Sequence, residues 1–198
     1  MSNRSVTLLG RRLPQSSPIE QYLEAIDSFA RHPATHQRIT PDGVDPPLWI
    51  LSYSDEPQEG WRASFSYGLS SVDHHLWRLG KPELMICVNT VDDAWGLAVG
   101  FLAMQHRGIA PFAYGSTFEL GHRVSAESAM TAFLAFAPMD LPKEATKIKL
   151  SDRTLNLVQM YPIYEGEIEL VQQAGPVAFL TESAVDFHDI TRPNLALA

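Results

Sequence analysis

Apolar and polar positions alternate along this chain with two different periods. From residue 17 to about residue 32 the period is helical. Ile19, Tyr22, Leu23, Ile26, Phe29 and Ala30 recur three and four apart and lay out one apolar face. Ser17-Pro18-Ile19-Glu20 supplies the start. Ser17 can cap, Pro18 suits the first helical position, and Glu20 can reach back to the cap. His32-Pro33 should end this helix, because a residue before proline is pushed out of helical geometry. Residues 33–47 contain four prolines and read as a connecting loop, and residues 1–16, which lack any period, as a flexible amino-terminal arm.

The period then drops to two. Leu48–Tyr53 and Trp61–Tyr67 read as strands, joined through the acidic turn "SDEPQEG" into a hairpin. In the second strand Trp61, Ala63, Phe65 and Tyr67 alternate with Arg62, Ser64 and Ser66, which predicts one buried and one wet face. Glu83–Val88 is almost wholly apolar and is expected at the centre of the sheet. Thr90–Asp93 then opens a second helix, with Trp95, Ala98, Val99, Leu102 and Ala103 as its buried stripe and Gly108 just past its end. "MTAFLAFAP" and "LNLVQMYPIY" follow as strands, and Glu165–Ala174 as a helix halted by Gly175-Pro176, with a short helical turn after it. Helices at the start, middle and end of a strand-rich chain argue for α+β, helices covering one mainly antiparallel sheet, over a single domain from 17 to 198. One core is expected to hold Trp61, Phe65, Tyr67, Leu84, Ile86, Val88, Trp95, Val99 and Leu102.

Composition changes this picture little. The chain has 198 residues, 45% hydrophobic and 19% charged, as ordinary globular proteins do. It has no apolar run long enough to span a bilayer and no signal-peptide core near Val6-Thr7-Leu8-Leu9. The single cysteine, Cys87, excludes an internal disulfide and fits a reducing compartment, so a cytoplasmic protein is expected. The net charge of −8, with no Lys/Arg-rich run, disfavours nucleic acid and favours encounter with a basic partner.

Candidate chemistry gathers in "FSYGLSSVDHH", residues 65–75. A nucleophile elbow at Ser70 would need glycine where Val72 stands, and a following helix that Gly80-Lys81-Pro82 interrupts. His74 and His75, if in a strand, point to opposite faces and cannot share one metal. Neither His-Glu-x-x-His nor Cys-x-x-Cys occurs, and glycine-rich phosphate loops are missing. Glu165, Glu167 and Glu169 fan around a helix, and Asp92 and Asp93 have a structural task at a helix start. The residues alone therefore predict no enzyme, no cofactor and no metal. A hydrolase using Asp73 with His74 or His75 and distant ligands is the alternative.

"FSYGLSSVD" resembles the Phe-Gly-Leu-Ser strand end of suppressor of fused domains. "KPELMICV" is similar to that family's Glu-Leu strand, and the helix around Trp95 to the one that follows it. "AYGSTFELGHRV" and "MTAFLAFAPMDLP" resemble its glycine-punctuated stretch and next strand. "LNLVQMYPIYEGEIELVQQAG" and "FHDITRP" look like its Glu-containing helix and terminal Asp-x-x-Arg segment. These run in family order from about residue 45 to 193. The resemblance implies a protein-binding domain without catalysis. It covers only the first of the two domains with which the animal founding member holds a transcription factor, so that partner is not carried over. Stand-alone bacterial members are associated with polymorphic toxin systems, which implies an immunity protein that binds and neutralises a toxin domain. A general regulatory module without a toxin is a further possibility. Partner contacts are expected from Asp73, His74, His75 and Trp77 first, and from Asp55, Glu56 and Glu59 in the hairpin turn second. Gly68 is expected where the backbone turns or bulges, and Trp77 either anchors a partner or packs under its own loop.

Overall fold

The computed structural model describes residues 16–78 and 80–197; the expected arm lies, apart from Ser16, outside them. Helix α1 (Pro18–Asp27) is followed by strands β1 (Thr35–Arg38), β2 (Trp49–Ser54), β3 (Arg62–Tyr67) and β4 (Lys81–Val88), then helix α2 (Ala94–His106). Strands β5 (Thr117–Glu119), β6 (Ala132–Phe136), β7 (Lys147–Lys149) and β8 (Thr154–Ile163) precede helices α3 (Glu167–Ala174) and α4 (Pro176–Glu182). The strands form one sheet in the order β1-β2-β3-β4-β8-β6-β5, with β7 beside the first half of β8. β4 and β8 run parallel; every other pairing among the described residues is antiparallel. The α+β expectation and the mainly antiparallel sheet are met, with β4 at the centre.

The sheet is covered on both faces, which divides the expected single core in two. Leu84, Ile86 and Val88 of β4 meet Trp95, Val99 and Leu102 of α2 on one face. Phe65 and Met85 meet Tyr22 and Ile26 of α1 on the other, with Trp61 and Tyr67 packed against them. Residues Tyr161 and Ile163, further along β8, carry α3 and α4. Alternation forces the split, since successive side chains on a strand point to opposite faces.

The wet face expected of β3 is also covered. Ser64 and Ser66 are buried; Ser66 Oγ is taken by Glu83, and the small size of Ser64 is what lets α2 approach. A Cβ on Gly96 would lie 2.4 Å from Ser64 Oγ. Ser64 Oγ is satisfied sideways by Ser52 Oγ at 2.9 Å.

Several segments depart from the expected elements, among them β5, a three-residue strand in the glycine-punctuated stretch. α1 ends at Asp27, five residues early; the Arg31 amide is taken instead by the Glu56 carboxylate, and Tyr53 Oη donates to Asp27 Oδ1 at 2.6 Å. β1 lies within the proline-rich loop, a short polar edge strand whose outward residues carry no apolar period to read. Strand β7 is three residues long and shows one buried position, Ile148.

Candidate functional site

The motif at residues 65–71 is built around one carboxylate. Gly68 has φ +118°, and a Cβ there would sit 2.2 Å from the Pro47 carbonyl oxygen, so glycine is needed for the turn that leaves β3. The turn exposes the amides of Gly68 and Ser70 inward, and Glu83 of β4 meets them. Its Oε1 accepts from Gly68 N (2.9 Å), Ser70 N (3.0 Å) and Ser70 Oγ (2.6 Å), and its Oε2 from Ser66 Oγ (2.6 Å). Burial raises the Glu83 pKa although all these hydrogen bonds pull it down. Ser70 Oγ gives its proton to Glu83 and accepts from Arg153 Nε at 3.0 Å. Ser70 is fully buried, and its hydroxyl is an anchor within the fold.

Beyond this anchored turn the chain emerges as residues 72–78. Asp73 is exposed and pairs with Lys81 Nζ at 2.7 Å, and this hydrogen bond lowers its pKa. The His74 ring is used at both nitrogens: Nδ1 accepts from Leu76 N (3.2 Å) and Nε2 faces the Ile109 carbonyl (3.2 Å). Those partners require the neutral tautomer with hydrogen on Nε2. His75 stacks on His74 with ring centroids 4.6 Å apart. Trp77 packs against the α2-side core and donates Nε1–H to the Pro111 carbonyl at 2.9 Å. It is half-buried, under its own loop, with Leu76 beside it 53% exposed.

This loop forms one wall of a groove of about 740 Å³ that also takes in Arg78, Pro82, Tyr114, Lys147 and Asn156. Both charged side chains in its lining are cations, a local reversal in a chain of net charge −8. Trp77 and Tyr114 add aromatic surface, so the groove can take an extended segment that carries a carboxylate beside an apolar group.

The hairpin turn lies elsewhere. Pairing of Ser54 with Arg62 at one end of the hairpin and Trp49 with Tyr67 at the other puts the two groups at opposite ends of β3, roughly 20 Å apart for a strand of this length. Asp55 has φ +58° and its Oδ1 accepts from Gly60 N at 2.9 Å, so it shapes the turn. Glu56 is turned inward and buried, its carboxylate holding the Arg31 amide. Glu59 is exposed. The structure thus gathers Asp73, His74, His75 and Trp77 into one loop and keeps Asp55, Glu56 and Glu59 away from it.

Among the described residues no three His, Cys, Asp or Glu side chains gather in a way that could hold a metal ion. Two charge pairs that involve the carboxyl-terminal segment escaped the reading of the sequence, one buried and one at the surface, where the Asp140 side chain is exposed. Glu167 and Arg192 form a two-pronged pair (2.6 and 2.7 Å) with side chains at most 1% exposed, and Arg192 also lies over the Phe187 ring. His188 sits between two acceptors, Asp140 Oδ2 at 2.6 Å and the Cys87 carbonyl at 2.9 Å. Both ring nitrogens must carry hydrogen there, and although burial opposes it the His188 pKa is raised to about 11 by those bonds. The signal available was residue type alone, "FHDITR" following "YEGEIE", with nothing to say which acid meets which base.

A family model for the suppressor of fused protein (SUFU) matches residues 44–193. No curated protein shows significant sequence similarity to the chain. Solved structures do resemble it. A SUFU homolog from Neisseria gonorrhoeae superposes with a TM-score of 0.66 at 17% identity, over 88% of this chain and 94% of that one. A Sufu–Fu complex contains a chain matching at TM-score 0.63 and 14% identity, over 90% of each. Drosophila Suppressor of Fused matches at 0.61 and 11%, over 91% of this chain and 51% of that one. The chain belongs to the suppressor of fused family. No helix among the described residues is long and apolar enough to cross a membrane.

Proposed function

We propose that this suppressor of fused domain is a non-enzymatic protein-binding module, and that its role is immunity: it neutralises a toxin domain by occluding that partner's functional surface. Family membership carries the reading, supported by a relative that is found in a complex with a protein, Fu. The toxin partner follows from the resemblance to stand-alone bacterial members. The 73–77 loop and its groove are the contact surface. Trp77 and Leu76 supply apolar area, and Arg78 and Lys147 receive a carboxylate of the partner. Asp73 and Glu59, at the two ends of β3, steer the approach of basic surface elsewhere on the partner.

The test looks for a toxin domain encoded beside the gene and titrates it against the whole chain; a neighbourhood without one counts against the immunity role. Trp77→Ala should weaken binding by about 2 kcal/mol or more, as truncation of a central aromatic does. Asp73→Lys should mainly slow association. A chain that fails to protect cells against that toxin, and does not bind it, removes the immunity role. Unchanged affinity and association rate for both variants, each shown to be folded, would move the contact surface elsewhere.

A further inference from the structure

Helix α2 is apolar beyond the side it gives to the sheet. Val99, Leu102 and Ala103 belong to the core, yet Leu97, Ala98 and Phe101 are apolar too and line a groove of about 370 Å³. The opposite wall is the segment after β5, with Leu120 and Val124. Leu97, Leu120 and Val124 rest partly on the core, whereas the Phe101 ring stands out from it, 49% exposed. A helix over a sheet ordinarily turns polar side chains outward, so this flank is apolar surface that, among the described residues, nothing covers.

The groove continues into a second depression of about 670 Å³, because the exposed Glu119 at the end of β5 lines both. Glu165 and Glu169, at the start of α3, line that second depression with it. The two α3 acids suit a helix start by themselves; Glu119, on an edge strand, has no such task. Among the described residues no lysine or arginine lines either depression, and Arg123 follows the lining residue His122 without joining it. The whole is an apolar trough with an acidic end. A second copy of this chain fits it badly, since pairing face to face would set its three acids against these. Nucleic acid and anionic lipid are repelled for the same reason. The geometry points to a second protein contact here: a partner segment that seats an apolar side chain against Phe101 and Leu97 and sets a lysine or arginine beside it on Glu119, Glu165 and Glu169. This contact shares no lining residue with the groove beside the 73–77 loop and needs no toxin, so it stands or falls apart from the immunity reading.

A phage-displayed library of random peptides, selected on the whole chain and counter-selected on Phe101→Glu, reads the partner's chemistry. The survivors should pair Leu, Phe or Trp with neighbouring Lys or Arg. The tightest of them, made as a free peptide, should bind Phe101→Ala roughly thirtyfold more weakly, as loss of a hot-spot aromatic does. Glu165→Lys, outside the apolar groove, should weaken it roughly tenfold, and added salt should weaken it on the unaltered chain. If a variant does not fold, amide shifts of the unaltered chain decide: peptide-induced changes should centre on residues 97–105 and 119–124. Survivors that are acidic or uncharged, no survivors, shifts centred elsewhere, or an affinity indifferent to either folded variant would overturn the assignment. So would a dimer of the free chain in sedimentation that Phe101→Glu dissolves, because the flank would then belong to a second copy.

Discussion

Removing the Glu83 carboxylate should separate the worth of its charge from the worth of its acceptors. In Glu83→Ala the amides of Gly68 and Ser70 lose their acceptor inside the fold, and neither can turn to another, since Gly68 is pinned against Pro47. Two unsatisfied buried amides at ~1–3 kcal/mol each, offset in part because a buried charge is no longer carried, give a loss of roughly 2–5 kcal/mol. The Ser66 and Ser70 hydroxyls add less, because they can rotate. Glu83→Gln keeps an acceptor where Oε1 stood and places an amide against Ser66 Oγ, so it should cost only about 1–2 kcal/mol.

Urea denaturation at constant m reads both values, and amide exchange at Gly68 and Ser70 reads the cause. The pH dependence gives a third check. A carboxyl whose folded pKa is raised contributes stability that is full below the unfolded value, ~4.3, and is lost as pH rises through the folded value. Glu83→Gln should remove that decline. If Glu83→Ala costs no more than Glu83→Gln, or leaves exchange at Gly68 and Ser70 unchanged, the carboxylate does not hold the turn.

Three other outcomes follow from the packing. Trp95→Ala should cost ~3–5 kcal/mol by denaturant midpoint, since the indole is 1% exposed and meets Phe133 edge to face. Gly96→Ala should cost about 1–3 kcal/mol by the same assay, because Ser64 must yield to the new methyl; adding Ser64→Gly should recover part of that loss. The His188–Asp140 pair should make stability greatest between about pH 4 and 6.5. The raised His188 pKa gives stability that is lost as pH climbs from 6.5 towards 11, the lowered Asp140 pKa gives stability that is lost as pH falls, and thermal melting of His188→Gln across pH 5 to 10 should show a flatter decline on the alkaline side.

How far the sequence could be read depended on whether a residue's role was periodic. The helix at Ala94–His106 and the strands from Trp49 to Val88 were legible because their apolar side chains repeat at the spacing of the element. Ser64 misled for a physical reason: a small polar residue facing solvent and one facing a close-packed helix look alike until the glycine opposite is known; Ser66 misled because its partner, Glu83, stands on another strand. Glu56 misled in the same way, an acid in a turn that is spent on the end of α1. The 73–77 loop was legible as a loop. That Trp77 lies half under it, its indole tied to Pro111, depends on a contact 34 residues away that no local pattern announces.

The segments that carry the family resemblance are, taken singly, weak motifs, and the structure shows several of them to be halves of one contact. The Gly-Leu-Ser turn supplies inward amides and the Glu-Leu strand supplies the carboxylate that receives them. The Glu-containing helix supplies Glu167, and the terminal Asp-x-x-Arg segment supplies Arg192. His188, in that same segment, reaches back to the β4 carbonyl of Cys87 and across to Asp140 in the acidic–proline turn after β6. A buried apolar position tolerates other residues of similar volume. A buried charge does not, because removing one partner strands the other at a cost of about 3–5 kcal/mol. Contacts of this kind tie together segments far apart in the chain and leave the surface between them free of that constraint. On this chain that surface includes the loop running from Asp73 to Trp77, which leaves the Glu83 anchor within three residues of Ser70 and is held further along by the Asp73–Lys81 pair and by Trp77 on Pro111, with Leu76 and His75 left exposed. A rigid anchor under an exposed loop lets the contact residues change without disturbing the turn that presents them, and a domain that must fit one particular partner needs that separation.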